Sequence, residues 1–493
     1  MHYLLGLDVG TTAVKAVLFD LDGSPAAAAS QPISLITPQE GWVEQDPQAL
    51  WAAVIAVLRQ VAGNLEPHDR VLALSQSSQG GTTIPVDDSC MPTFNAISWM
   101  DQRANEERQH IEANIGAQTV YETTGWPLIT ALPLLHISWL RDKRPQVFKR
   151  SRRFLFVNDF IGYLLTGEFC MDPSNASITQ LFNVASGDWE ERLLDLAGLE
   201  REQLSPLAPS GYVFGALTSS AGQATGLPAG IPVVNGAHDQ YCTAISLDVT
   251  RPGPVLLSCG TAWVVLAVPE SLEVGLRSGM AISRHALEGR LGALRSLGGV
   301  GASSEWLLDN LWSPPPSSET QQGQRYQEFN QSVARAQPGA GGLLFYPLAG
   351  GHAEGYGMSR GGFLHLSLTH TRDDIARAVM EGLAYELRWS IEEISSSGVA
   401  VNKFKMVGGA ARSPVWPQIV SDVTGLTVIV PQITEAASQG AALLAGAGAG
   451  VFSLAKATGK FRGAEKVFEP NLEYRQRYDA LFEEYRRLCS QVC

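Results

Sequence analysis

Two apolar runs near the start of the chain, Tyr3–Val9 and Ala13–Leu21, flank the small turn Gly10-Thr11-Thr12 and predict a tight β-hairpin; Asp22-Gly23 adds a second turn signal. The chain should therefore open as a meander. From Asp46-Pro47 the period lengthens: Leu50, Val54, Leu58 and Val61 share one helical face, with Asp46 as N-cap and Pro47 as the first helical residue. Val71–Leu74 reads as a short strand broken by the polar loop Ser75–Gly81, the kind of loop that carries ligand contacts. Ile84–Val86 suggests a small hairpin, helical periodicity returns over Ala104–Ile115 and Leu134–Leu140, and Phe154–Val157 is a strand leading into a helix that reaches Leu165. Pro232–Val234 is a strand that ends in Asn235-Gly236-Ala237-His238-Asp239-Gln240. Strand alternating with helix is the α/β rhythm.

The opening pattern returns half a chain later. Pro254–Cys259, the turn Gly260-Thr261 and the run Ala262–Leu266 again read strand, turn, strand. That spacing predicts two similar α/β halves, residues 1–247 and 248–493, with chance repetition of a common Gly-Thr pair as the alternative. In the second half Thr371 and Asp374 form a capping box for a long helix with Ile375, Val379, Leu383 and Leu387 on its buried face. The strand Phe404–Val407 runs into Gly408-Gly409-Ala410-Ala411-Arg412-Ser413-Pro414, where Ser413 can cap and Pro414 can begin the next helix. Two glycines between a strand end and a helix N-terminus let a flat base or a ribose approach the backbone. Ser313–Ser318 is a low-complexity loop, expected to move. Glu435–Ala449 is a small-residue helix suited to close packing, and Tyr474–Leu488 an amphipathic surface helix.

Composition narrows the partners. At 493 residues the chain has room for two or three domains. A net charge of −13 argues against a nucleic-acid or anionic-membrane surface, so any bound phosphate must be held locally. The six cysteines are scattered without a Cys-x-x-Cys pair, which predicts neither zinc nor disulfides and points to the cytoplasm. No apolar run approaches the roughly 20 residues of a membrane span.

Two isolated carboxylates carry the candidate chemistry. Asp8 ends a buried strand beside a turn whose N–H groups could face an anion, which suggests metal plus phosphate; an ordinary hairpin is the alternative. Asp239 ends a second strand, where it could instead be a helix N-cap. His238 beside it reads as structural, and Lys15 could neutralise phosphate or be solvated. The hairpin is not a P-loop, because its turn leads into a strand and no Gly-Lys-Ser/Thr follows. Two phosphate-type turns, a Gly-Gly turn and two carboxylates match phosphoryl transfer, which needs positioning, charge neutralisation and one base.

These residues resemble the FGGY family of carbohydrate kinases. The motifs, in order, are Gly6-Leu7-Asp8-Val9-Gly10-Thr11-Thr12, Gly41–Pro47, Trp99-Met100-Asp101-Gln102-Arg103, Gly236-Ala237-His238-Asp239-Gln240, Ser258-Cys259-Gly260-Thr261 and Gly408–Ser413, with Gly362–Leu364 through Glu381 as a further match. The resemblance implies an actin/hexokinase-like, ribonuclease H-like ATPase fold, α/β, with duplicated halves around a central cleft, the first binding sugar and the second ATP. It implies ATP and Mg²⁺ as cofactors, Asp239 as the general base and Asp8 as the metal residue. Gly10, Thr11, Thr12, Lys15, Gly260 and Thr261 would serve the phosphates, and Gly408, Gly409, Ala410 and Ser413 the adenosine.

The acceptor is expected against Ser78, Gln79, Trp99, Asp101, Asp239 and Gln240. The loop that reads Gln-Met-His in xylulokinases and Gln-Arg-Glu in glycerol kinases reads Ser77-Ser78-Gln79 here. Gly350-Gly351-His352-Ala353-Glu354 departs from the common Gly-Glu-Arg-x-Pro pattern, and His365 replaces a usual Gly; both changes bear on specificity and packing more than on catalysis. The expected reaction is phosphorylation of a small ketose or polyol, xylulose first, with glycerol, ribulose, erythritol and gluconate types as alternatives. A homodimer is the oligomer allowed for, with neither nucleic acid nor membrane as partner. A binding protein that has lost the chemistry is the competing class, and intact Asp8 and Asp239 speak against it. An actin-like filament former would have no use for the polar loop at Ser75–Gly81.

Overall fold

A computed structural model describes residues 1–260, 262–312, 318–352, 361–459, 461 and 463–489. The expectations for Thr261, for most of the Ser313–Ser318 loop, and for Ala353 and Glu354 lie outside the described residues. The chain divides into two compact units: Met1–Arg251 with Glu270–Ala293 and Ile433–Arg462, and Pro252–Pro269 with Leu294–Gln432 and Gly463–Cys493. The principal crossing falls at 251/252, close to the expected 247/248. Two later stretches return to the first unit, which a single cut cannot express.

The first unit is built on a six-stranded sheet of β1 (His2–Val9), β2 (Ala13–Asp20), β3 (Pro25–Pro32), β4 (Arg70–Ser78), β5 (Val213–Ala216) and β6 (Pro232–His238), in the order β5-β6-β4-β1-β2-β3. β1, β4 and β6 are parallel, while β2 and β5 run antiparallel to their neighbours β1 and β6. The expected helix forms over Pro47–Ala62, with the Asp46 side chain accepting from the Gln48 N–H. Its buried face joins Leu50, Val54, Leu58 and Val61 to Leu5, Leu7 and Val14 in one core.

Two strands outrun their sequence signal. β4 continues through Ser75, Gln76, Ser77 and Ser78, all buried, rather than breaking into a loop at Ser75. Those polar residues are tolerated because β1 and β6 pair with the strand on both sides and satisfy its backbone. β6 likewise runs on to His238, and a Cβ at Gly236 would lie 1.6 Å from the Gln76 carbonyl oxygen, so only glycine permits this pairing. The small-residue helix spans Ala436–Gly448 and packs as expected: a Cβ at Gly440 would fall 1.9 Å from the Cys242 carbonyl oxygen, and one at Gly6 only 1.8 Å from that of Ser438.

The second sheet has seven strands, five of which run β8-β7-β9-β10-β11, with β7 Gly253–Cys259, β8 Trp263–Ala267, β9 Val401–Gly408, β10 Thr427–Pro431 and β11 Glu465–Phe468. β7, β9 and β10 are parallel; β8 and β11 are antiparallel to their neighbours. This repeats the direction pattern of β2-β1-β4-β6-β5, so the halves are alike. The capping box at Thr371 and Asp374 opens the helix Arg372–Ser396, and the amphipathic helix at the end spans Leu472–Cys489.

Candidate active site

Register brings the first unit's candidate groups together. Asp8 on β1 and Ala237 on β6 both pair with Ser77 of β4, and Val9 and His238 both pair with Ser78. Three parallel strands thus end side by side, the place where α/β sheets bind ligands. Asp239 follows as the first residue of the helix Asp239–Ser246, with His238 in the cap position, so the carboxylate is not an N-cap. Its side chain is one-third exposed, and His238 Nε2 lies 3.3 Å from Asp239 Oδ1.

Asp8 accepts a 2.8 Å hydrogen bond from the Ser77 hydroxyl. Burial and then the Asp239 charge push its carboxyl up from the ordinary 3.8, Ser77 and Lys15 pull the other way, and the net result is about 7. Two mutually repelling carboxylates with a hydroxyl beside them suit a hard cation. Among the described residues no group of three or more His, Cys, Asp or Glu forms a complete metal cage.

Several expected ligands are already engaged. Thr11 Oγ1 donates to Gln79 Oε1 (2.9 Å) and accepts from Trp99 Nε1 (2.9 Å); Gln79 Nε2 donates to Gln45 Oε1 and Gln45 Nε2 to the Thr11 carbonyl, each at 2.9 Å. This ring of bonds holds the hairpin tip, so both ends of the Gln79 amide serve structure rather than sugar hydroxyls. Asp101 is fully buried: Oδ1 accepts from Arg103 Nε and N–H, Oδ2 from Arg103 Nη2 and the Val43 N–H, and Glu44 also pairs with Arg103. It holds the loop and cannot also reach the acceptor. Ser78 is buried against Asn175. Lys15 is ion-paired with Glu435 at 2.8 Å, so it brings no unbalanced charge to a phosphate. What remains accessible is Gly10, the exposed Thr12, the half-exposed Trp99 ring, Asp239 and Gln240. The Gln240 Oε1 is buried with no partner among the described residues.

The second unit holds a cavity of about 560 Å³, lined among others by Gly260, Gly409, Ala410, Ser413, Tyr326 and Trp416. Gly408 does not line it; its φ of 94° and the approach of the Cys259 carbonyl, 2.4 Å from where a Cβ would be, make it the residue that lets β9 close on β7. Beyond it Ala410–Arg412 form a 3₁₀ turn, and the helix begins at Trp416 rather than Pro414. Ser413 still caps: its hydroxyl accepts from the Val415 and Trp416 N–H groups and donates to Asn330 Oδ1. Sequence reasoning missed Tyr326 and Trp416. Trp416 was signalled by its place after Ser413-Pro414; Tyr326, on the Glu319–Arg335 helix, had no motif to mark it.

A duplicated sheet with carboxylates at one set of strand ends and a base-sized cavity at the other is the actin/hexokinase-like ATPase design. The family model for the N-terminal domain of FGGY carbohydrate kinases matches residues 3–246, and that for the C-terminal domain residues 255–449. A xylulose kinase of Staphylococcus epidermidis is 29% identical over 493 residues, covering 99% of this chain and 97% of the relative. A gluconokinase of Bacillus subtilis is 29% identical over 450 residues, covering 90% and 86%. The crystal structure of a xylulose kinase from Rhodospirillum rubrum superposes with a TM-score of 0.87 at 27% identity, covering 99% and 98%. The chain belongs to the FGGY family of carbohydrate kinases and is a sugar kinase that uses ATP.

Proposed function

We propose that this kinase transfers the γ-phosphate of ATP to a primary hydroxyl of a small neutral ketose or polyol, D-xylulose first. The convergence of Asp8, Ser77 and Asp239 at neighbouring strand ends carries the reading. Asp239 accepts the proton of the attacking hydroxyl, a role worth on the order of 10²–10⁴-fold. Asp8 is the residue that would hold Mg²⁺, which when bound neutralises phosphate charge. Gly10 and Thr12 at the first hairpin's tip would serve the phosphates, and Gly409, Ala410 and Ser413 in the second unit would border the adenosine. The acceptor lies against Trp99, Asp239 and Gln240. A neutral acceptor is favoured over a sugar acid because Arg103, four residues from Trp99, is already bound by Asp101 and Glu44. The relatives named for xylulose and for gluconate are equally identical to this chain, so they support the class and leave the choice to the site.

ADP release measured across D-xylulose, L-xylulose, D-ribulose, glycerol, erythritol and D-gluconate tests the reading. D-xylulose should give the highest kcat/KM; a preference for gluconate overturns the neutral-acceptor argument, and no stimulation by any of them overturns the substrate class. Asp239→Asn should bind ATP normally and lose phosphorylation, and retained turnover removes Asp239 from its role.

A further inference from the structure

One glycine beside the base leaves no room for a side chain. The loop after β4 places Gly80 directly against the His238 imidazole: a Cβ there would lie 2.6 Å from His238 Cδ2, 3.0 Å from its Nε2 and 3.0 Å from Ile178 Cγ2. Position 80 is thus closed to any side chain while the ring stays where it is. The main chain that carries the ring is fixed too. The His238 N–H donates to Ser174 Oγ at 2.9 Å, and that hydroxyl in turn donates to the buried Asp172, which also accepts from Asn175 Nδ2 at 2.7 Å. Tyr241, one helical turn on, lies with its ring centroid 5.9 Å from the imidazole. The Nε2 edge meets Asp239 Oδ1 at 3.3 Å.

We propose that Gly80 and His238 together form a positioning device for the base: the imidazole, seated in the space a glycine leaves, keeps its Nε2 edge 3.3 Å from Asp239 Oδ1 as an electrostatic neighbour and leaves Oδ2 to take the acceptor's proton. The proposal rests on Asp239 being the base. A carboxylate one-third exposed on the first turn of a helix has rotamers to spare, and a misplacement of about 1 Å at a reacting group costs about 10²-fold. An imidazole edge held beside one oxygen favours one rotamer. It also offsets the repulsion between Asp239 and the neighbouring Asp8 carboxylate. His238 does not itself touch the reacting atoms in this scheme.

The experiment uses four variants of the full chain, assayed with ATP and whichever sugar of the panel above gives wild type its highest kcat/KM. His238→Leu should lower kcat by about 10–100-fold with the KM for ATP within about twofold of wild type. His238→Gln, whose amide N–H can reach the position of Nε2, should recover most of that loss. Gly80→Ala should fold normally, because the atom it displaces ends a rotatable side chain, yet lose kcat nearly as His238→Leu does. Adding Gly80→Ala to His238→Leu should cost less than about twofold more, since the ring it displaces is gone. Additive losses, or a Gly80→Ala kcat within twofold of wild type, overturn the device. Asp239→Asn separates the two readings: if it keeps turnover, the base assignment has failed; if it is dead while His238→Leu is fully active, only the positioning role has failed.

Discussion

The two hairpins share a backbone plan and differ in what they put at its end. In the first unit Asp8 pairs with Lys15 across the hairpin and with Ser77 on the parallel neighbour; in the second unit Ser258 pairs with Val264 and Val407. One therefore ends in a buried charge with its own counter-groups, and the other in small, uncharged residues beside a cavity. The sheet supplies the same strand ends twice; side chains decide that one set faces metal and proton chemistry while the other leaves room for a flat ligand. Duplicating a fold does not duplicate a function.

The sharpest way to break that contrast is to remove the charge. Without a cation, folded Asp8 keeps its proton up to about pH 7, against 3.8 for an ordinary carboxyl. Below about pH 4 folded and unfolded chains both hold the proton, and Asp8 costs nothing. As pH rises from there the unfolded chain releases its proton first, so stability falls, and the full penalty is present above about pH 7. Asp8→Asn should therefore raise the melting temperature of the cation-free protein at pH 8 but not at pH 4, while cutting turnover on the order of 10²–10³-fold. Ser258→Ala in the second unit should leave the pH profile of melting unchanged. A wild-type protein that melts no lower at pH 8 than Asp8→Asn does would show that Asp8 is not held under strain.

The same contrast explains what the sequence could and could not reveal. The hairpins, the helices at Pro47–Ala62 and Arg372–Ser396 and the close-packed Ala436–Gly448 were legible because each rests on local signals: period, cap or residue size. β4 beyond Leu74 was not, because Ser75–Ser78 look like a loop until strands from distant parts of the chain enclose them. Asp8 and Asp239 were legible as strand-end carboxylates, and their meeting at Ser77 and Ser78 depended on register. The acceptor set was the part whose surroundings local signals could not reveal. Ser78, Gln79 and Asp101 are polar residues in ligand-like motifs, but their partners, Asn175, Gln45 and Val43, lie elsewhere in the chain and claim their hydrogen bonds first. His238 was underrated for the converse reason, since its importance comes from a glycine 158 positions earlier.

Asp101 sharpens the comparison next, because it separates charge that holds structure from charge that does chemistry in the same unit. Its two oxygens satisfy Arg103 and the Val43 N–H with no exposure to solvent. Asp101→Asn breaks one partner of a buried ion pair and should cost about 3–5 kcal/mol in urea unfolding. The folded fraction should keep its KM for the acceptor. A selective rise in that KM at unchanged stability would return Asp101 to the sugar.

The smallest expected effect belongs to Trp416 in the second unit, whose replacement removes no buried charge. Trp416 lines the cavity, its ring centroid sits 5.3 Å from that of Trp263, and its indole N–H is buried with no partner among the described residues. An orphaned donor costs stability in the empty protein unless something bound satisfies it. Trp416→Phe keeps an aromatic ring against Trp263 and deletes the donor. If the N–H serves the nucleotide, the KM for ATP should rise by about threefold to tenfold, the equivalent of one neutral hydrogen bond, with the acceptor KM unchanged. If it serves nothing, the variant should bind ATP as wild type does and melt higher, because an unsatisfied group has gone. The direction of the melting shift without nucleotide is the same in both cases, so ATP affinity alone decides whether this cavity's polarity is built for a ligand.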